Sequence, residues 1–120
     1  MKSFTDKEQS KKLTKMLPNN TSDFFRYKDD LAPGGALAVF NGAVLPKTTE
    51  DLPEHSTPVW SLAALLDIIP HPTLEFDSKK GWRCIAYNNY GHGKIFGEYF
   101  EDSIDSCVDL IETLYKNNLI

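Results

Sequence analysis

Thr57-Pro58-Val59-Trp60-Ser61-Leu62-Ala63-Ala64-Leu65-Leu66-Asp67-Ile68-Ile69-Pro70 is a short, almost wholly apolar stretch with a proline near each end. Leu62, Leu65, Leu66 and Ile69 recur at offsets of zero, three, four and seven, which predicts a helix over 60–69. Ala63, Ala64 and Ile68 cover most of its remaining circumference. A helix apolar nearly all round is expected to be buried nearly all round, so this segment should form the centre of the fold rather than an active site.

Downstream of it, Thr73-Leu74-Glu75-Phe76-Asp77 alternates strictly between faces, as a half-buried strand does. Ser78-Lys79-Lys80-Gly81 reads as a turn and Trp82-Arg83-Cys84-Ile85-Ala86-Tyr87 as a second strand. The turn 88–93 then leads into a third strand over 94–100. Connections this short predict a three-stranded antiparallel meander. The last helix opens at Asp102 or Ser103 as N-cap. It carries Ile104, Cys107, Val108, Ile111, Leu114 and Tyr115 on one stripe, with Asp105, Asp109, Glu112 and Lys116 opposite. Acidic residues at its start complement the helix dipole and call for no catalytic explanation.

Upstream, Thr5-Asp6-Lys7-Glu8 has the form of a capping box, predicting a helix from Thr5 to about Leu17 that Pro18 ends. Its apolar residues, Leu13, Met16 and Leu17, gather at the C-terminal end. Residues 19–30 read as a polar connection anchored by Phe24, Phe25 and Tyr27. Asn41-Gly42 between two apolar runs predicts a hairpin over 37–45. The stretch 46–58 has no periodicity and reads as a mobile loop. The fold class expected is therefore α+β: one domain spanning 1–120. A three-stranded antiparallel meander packs with a C-terminal amphipathic helix and a short buried apolar helix, joined by an N-terminal helix and an Asn-Gly hairpin.

Length and composition agree with one core. The chain has 120 residues, 41% hydrophobic and 25% charged, so folding should need neither a disulfide nor a metal. A net charge of −4 argues against general attraction to nucleic acid or to an anionic membrane. The first residues lack an apolar signal core, and no apolar run reaches the roughly 20 residues needed to span a bilayer, so a cytoplasmic location is expected. Cys84 and Cys107 have no C-x-x-C spacing, and a reducing compartment would keep them as thiols.

Glu8-Gln9-Ser10-Lys11-Lys12-Leu13, Thr21-Ser22-Asp23, Pro58-Val59-Trp60-Ser61-Leu62, Trp82-Arg83-Cys84 and Asp102-Ser103 together resemble a group of short uncharacterised proteins from prophages and mobile elements of gut bacteria. The resemblance covers almost the whole chain. Members typically carry Gly-Leu-Pro and Thr-Ala-Asp where this sequence has Met16-Leu17-Pro18 and Thr21-Ser22-Asp23. It implies a mobile-element origin and carries over no catalytic residues. The last third, three short strands followed by a helix opening Asp102-Ser103-Ile104-Asp105-Ser106-Cys107, also looks like small antitoxins of the HicB type, which implies a nuclease toxin or a nucleic acid as partner.

The chemistry-bearing residues form no specific constellation. His55, His71, His92, Cys84 and Cys107 fit no zinc-ligand spacing, so no metal and no other cofactor is expected. A small hydrolase would have to use Cys84 or His92, the one cysteine and histidine that strand pairing could bring together. Trp60, Trp82, Tyr87, Tyr90, Phe96, Tyr99 and Phe100 are enough rings for a base-stacking platform, but only Lys79, Lys80, Arg83 and Lys94 stand near them. The reading that fits best is a noncatalytic protein-binding or accessory protein. Its partner would be another protein or a second copy of the chain. Tyr87, Tyr90 and His92, around a glycine-rich turn, are the candidate partner surface.

Overall fold

The computed structural model describes residues 2–18, 21–27, 37–39, 56–88 and 93–120. Its elements are α1 (Lys7–Met16), β1 (Phe24–Tyr27), β2 (Leu37–Val39), β3 (Ser56–Val59), α2 (Leu62–Ile68), β4 (Thr73–Asp77), β5 (Gly81–Asn88), β6 (Gly93–Phe96) and α3 (Ser103–Lys116), an α+β arrangement. They form two compact units, one comprising Phe4–Ala64 and the other Met1–Ser3 with Leu65–Ile120.

In the first unit the capping box forms one residue later than the sequence suggests. Asp6, not Thr5, is the N-cap: its carboxylate accepts from the Gln9 N–H at 2.8 Å and its own N–H donates to the Gln9 side chain at 3.0 Å. Thr5 is unavailable because it is buried and tied to Trp60. The Thr5 N–H donates to the Trp60 carbonyl at 2.9 Å, and the Trp60 N–H donates to the Thr5 hydroxyl at 3.1 Å. The helix does end before Pro18, with Leu17 extended (ψ 147°) as a residue preceding proline must be.

β1 is the centre of a three-stranded antiparallel sheet of order β2-β1-β3. Two expectations are corrected here. The connection at 19–30 contains a strand, and the end of the supposed loop at 46–58 is another, with Phe25 opposite Pro58. Proline lacks a ladder donor, and β3 is an edge strand, where that lack is tolerated. Of the predicted hairpin only Leu37–Val39 is described; Asn41-Gly42 and residues 46–55 lie outside the described residues. Leu13, Pro58, Val59 and Trp60 are buried, and the Phe4 ring meets Phe24 edge-on at 4.5 Å.

The central helix begins two residues later than predicted. Ser61 caps it, its hydroxyl accepting from the Ala64 N–H at 3.3 Å, while Trp60 is held by Thr5. It is not buried all round: Leu65 and Ile69 are, Leu62, Leu66 and Ile68 are half-buried, and Ala63 and Asp67 are exposed. Seven residues make two turns, too few for every side to find a neighbour.

The second unit holds the predicted meander, with strand order β4-β5-β6. Glu75 pairs with Arg83, Leu74 with Cys84, Ile85 with Phe96 and Tyr87 with Lys94. At the first turn the Asp77 carboxylate accepts from the Lys79 and Lys80 N–H groups at 2.8 and 3.0 Å. The third strand is interrupted: β6 stops at Phe96, Gly97 donates to the Cys84 carbonyl, and a second bridge joins Phe100 to Trp82. Residues 97–99 therefore oppose only 83 and 84, a bulge of one residue that restores Phe100 to the ladder and turns Tyr99 toward Arg83.

α3 packs on β5. Asp102 is its N-cap, accepting from the Ile104 N–H at 2.9 Å and from the Lys2 N–H at 2.6 Å, while the Lys2 ammonium reaches Asp105 at 2.7 Å. Ile104, Cys107, Val108, Leu110, Ile111 and Leu114 are buried. Tyr115, expected on this stripe, is exposed instead, because the buried face ends at Leu114. Gly97 lets the chain approach β5 closely: a Cβ there would stand 2.9 Å from the Cys84 carbonyl oxygen, while Leu110 of α3 lies at ordinary contact distance.

Candidate functional site: the open face of the second sheet

Alternation along the strands sends Leu74, Cys84 and Ala86 toward α3, and Glu75, Arg83, Ile85, Tyr87 and Phe96 to the other face. That second face has an ordered polar centre with rings on both sides. The Arg83 guanidinium lies 4.8 Å from the centres of both the Phe96 and Tyr99 rings and donates to Glu75 Oε1 at 2.8 Å. The Tyr99 hydroxyl donates to the same oxygen at 3.1 Å, and the Lys80 ammonium stands over the Tyr99 ring at 5.4 Å. Desolvation and the bond to Glu75 hold the Tyr99 phenol above its usual range.

Around this centre Phe96 is 55% and Tyr87 45% exposed. Tyr87 sits opposite Lys94, diagonal to Phe96, and its ring meets that of His71 edge-on at 6.2 Å. Single exposed aromatics are ordinary, but two on one sheet face, one of them stacked on an arginine that Glu75 holds, make a preorganised patch. Among the described residues of this face there is no activated nucleophile.

Of the predicted partner surface, Tyr87 is exposed on this face, while Tyr90 and His92 lie outside the described residues. Arg83, Glu75, Phe96 and Tyr99 were not predicted to assemble here. The Glu75–Arg83 pairing could have been obtained by counting back from the 78–81 turn; the position of Tyr99 could not, since it depends on the bulge.

Cys84 does not stand alone. It is fully buried on the side of β5 that faces α3, where Cys107 is also fully buried. Contact with Cys84 and burial push the Cys107 thiol far above its ordinary range. Neither sulfur is presented to a substrate. Among the described residues no three His, Cys, Asp or Glu side chains group as metal ligands, and no helix is long and apolar enough to cross a membrane.

The residues that carry the resemblance noted in the sequence mostly build the first unit. Gln9 closes the α1 cap, Ser10 Oγ lies 2.9 Å from Thr5 Oγ1, and Leu13 is buried. The Trp60 indole donates to Thr21 at 2.9 Å, and the Asp23 carboxylate accepts from both the N–H and the hydroxyl of Ser61. Such a network of satisfied hydrogen bonds specifies a fold. No protein-family model, curated protein or solved structure matches the chain.

Proposed function

We propose that the chain is a noncatalytic accessory protein of a prophage or mobile element that binds another protein through the open face of the second sheet. The observation carrying this reading is the pair of exposed rings, Phe96 and Tyr87, on the sheet face where Arg83 is fixed between Phe96, Tyr99 and Glu75. Rings with two side-chain torsions and a preorganised guanidinium lose little conformational freedom on docking, and such residues dominate protein interfaces. The mobile-element setting rests on the sequence resemblance. The burial of Cys84 speaks against a cysteine hydrolase, since a nucleophile needs access and an activating base.

The test is Tyr87→Ser with Phe96→Ser, compared with the parent in affinity capture from the native host, with sedimentation in parallel to detect self-association. Both side chains are exposed, so the double variant should fold. Loss of two aromatic anchors should weaken binding tenfold or more, by order of magnitude. Unchanged capture and unchanged self-association by the folded variant would defeat the proposal.

A further inference from the structure

The second unit contains a thiol pair that the open face does not use. Cys84 lies on the middle strand β5, on the side facing α3, and Cys107 lies on the buried stripe of α3. Both are free and both have 0% exposure, and the helix carrying one packs directly on the strand carrying the other. Strand alternation turns Cys84 toward α3, and Cys107 lies on the buried face of the helix that packs there. In sequence they are far apart and share no redox motif; the strand-to-helix packing alone makes them neighbours.

We propose that Cys84 and Cys107 are a modification site: an intramolecular disulfide that forms at the expense of a low-molecular-weight disulfide such as glutathione disulfide, and that fixes α3 to β5. One thiol loses its proton to solvent during a local opening, and its sulfur attacks the small disulfide. The S–S bond of that reagent breaks, a mixed disulfide forms and one small thiol leaves. The second cysteine, deprotonated in turn, attacks the protein sulfur of the mixed disulfide and expels the other small thiol. Two protein thiols are oxidised and one small disulfide is reduced to two thiols. Because the two cysteines sit on elements that close on each other, the second step is intramolecular and outruns capture of the adduct by another chain.

Full burial sets the kinetics. Neither thiol reacts from the closed state, so oxidation proceeds at the rate at which α3 lifts, whereas the product is favoured by the closed packing.

The experiment equilibrates the native chain in glutathione buffers from fully reduced to fully oxidised, with mild urea in a parallel series to permit opening. Samples are then denatured, alkylated and weighed. The expected species at the oxidising end is a monomer two mass units lighter than the reduced chain that takes up no alkylating agent, with a Tm raised by about 10 °C. A persistent glutathione adduct, a disulfide-linked dimer, two thiols still alkylated at the oxidising end of both series, or an oxidised monomer with a lowered Tm would each overturn the proposal. Cys84→Ala and Cys107→Ala separately should abolish the lighter monomer and leave one glutathione adduct in the urea series. None of these outcomes bears on partner binding at the open face, so the two proposals fail or stand separately.

Discussion

Thr5 illustrates how one side chain can be legible in kind and misread in role. A threonine three residues before a glutamate has the form of an N-cap, and only the pairing with Trp60, fifty-five residues away, redirects its hydroxyl. Thr5→Val would keep the shape and remove the acceptor of a buried N–H. It should cost about 1–3 kcal/mol in urea unfolding, with Thr5→Ser close to the parent. Two carboxylates should show opposite pH behaviour. Burial, with repulsion from Glu112 and Glu98, raises Asp109 above the usual 3.8, so its protonated form is the better accommodated. A raised folded pKa contributes stability below the unfolded value and loses it as pH rises through the folded one. Asp109→Asn should therefore raise the urea midpoint near neutral pH, and the gain should vanish at about pH 3. Asp77, lowered by the Lys79 and Lys80 N–H groups, contributes above its ordinary value and loses that contribution on acidification.

The elements that were legible are those whose signal is local. β4, β5 and α3 declare themselves through alternation, a tight turn and a six-residue apolar stripe, and the register then follows by counting. β1 and β3 escape because each has four residues, too few for alternation to stand out, and because their pairing joins segments some thirty residues apart. At the turn between β4 and β5, Gly81 has φ 96°, and a Cβ there would lie 2.2 Å from the Phe100 carbonyl oxygen, whereas Gly93, with φ 82°, has open space around it. Gly93→Ala should cost only the left-handed strain, about 1 kcal/mol, while Gly81→Ala must also break the bridge to Phe100 and should cost clearly more in the same denaturation assay. Val108→Asp buries an unpaired charge in the α3 stripe and should abolish the cooperative near-UV transition of the second unit.

For the molecule as a whole, the pattern that links distant parts of the sequence proves mostly architectural. Gln9, Ser10, Thr21, Asp23, Trp60 and Ser61 hold the first unit by satisfied hydrogen bonds, while the exposed rings belong to the second. The candidate site was legible only through Tyr87. Its other members depend on a bulge and a register that composition does not reveal.

The two tryptophans are divided between the units, and this gives the chain a built-in optical readout. Trp60 is sealed, its indole N–H bonded to Thr21, whereas Trp82 is half-exposed beside Phe76 at 4.8 Å. Emission should therefore resolve into a blue component that acrylamide scarcely quenches and a redder one that it quenches readily. Trp82→Phe should leave the first alone and Trp60→Phe the second, so the fluorescence of each single-tryptophan chain follows the unfolding of one unit.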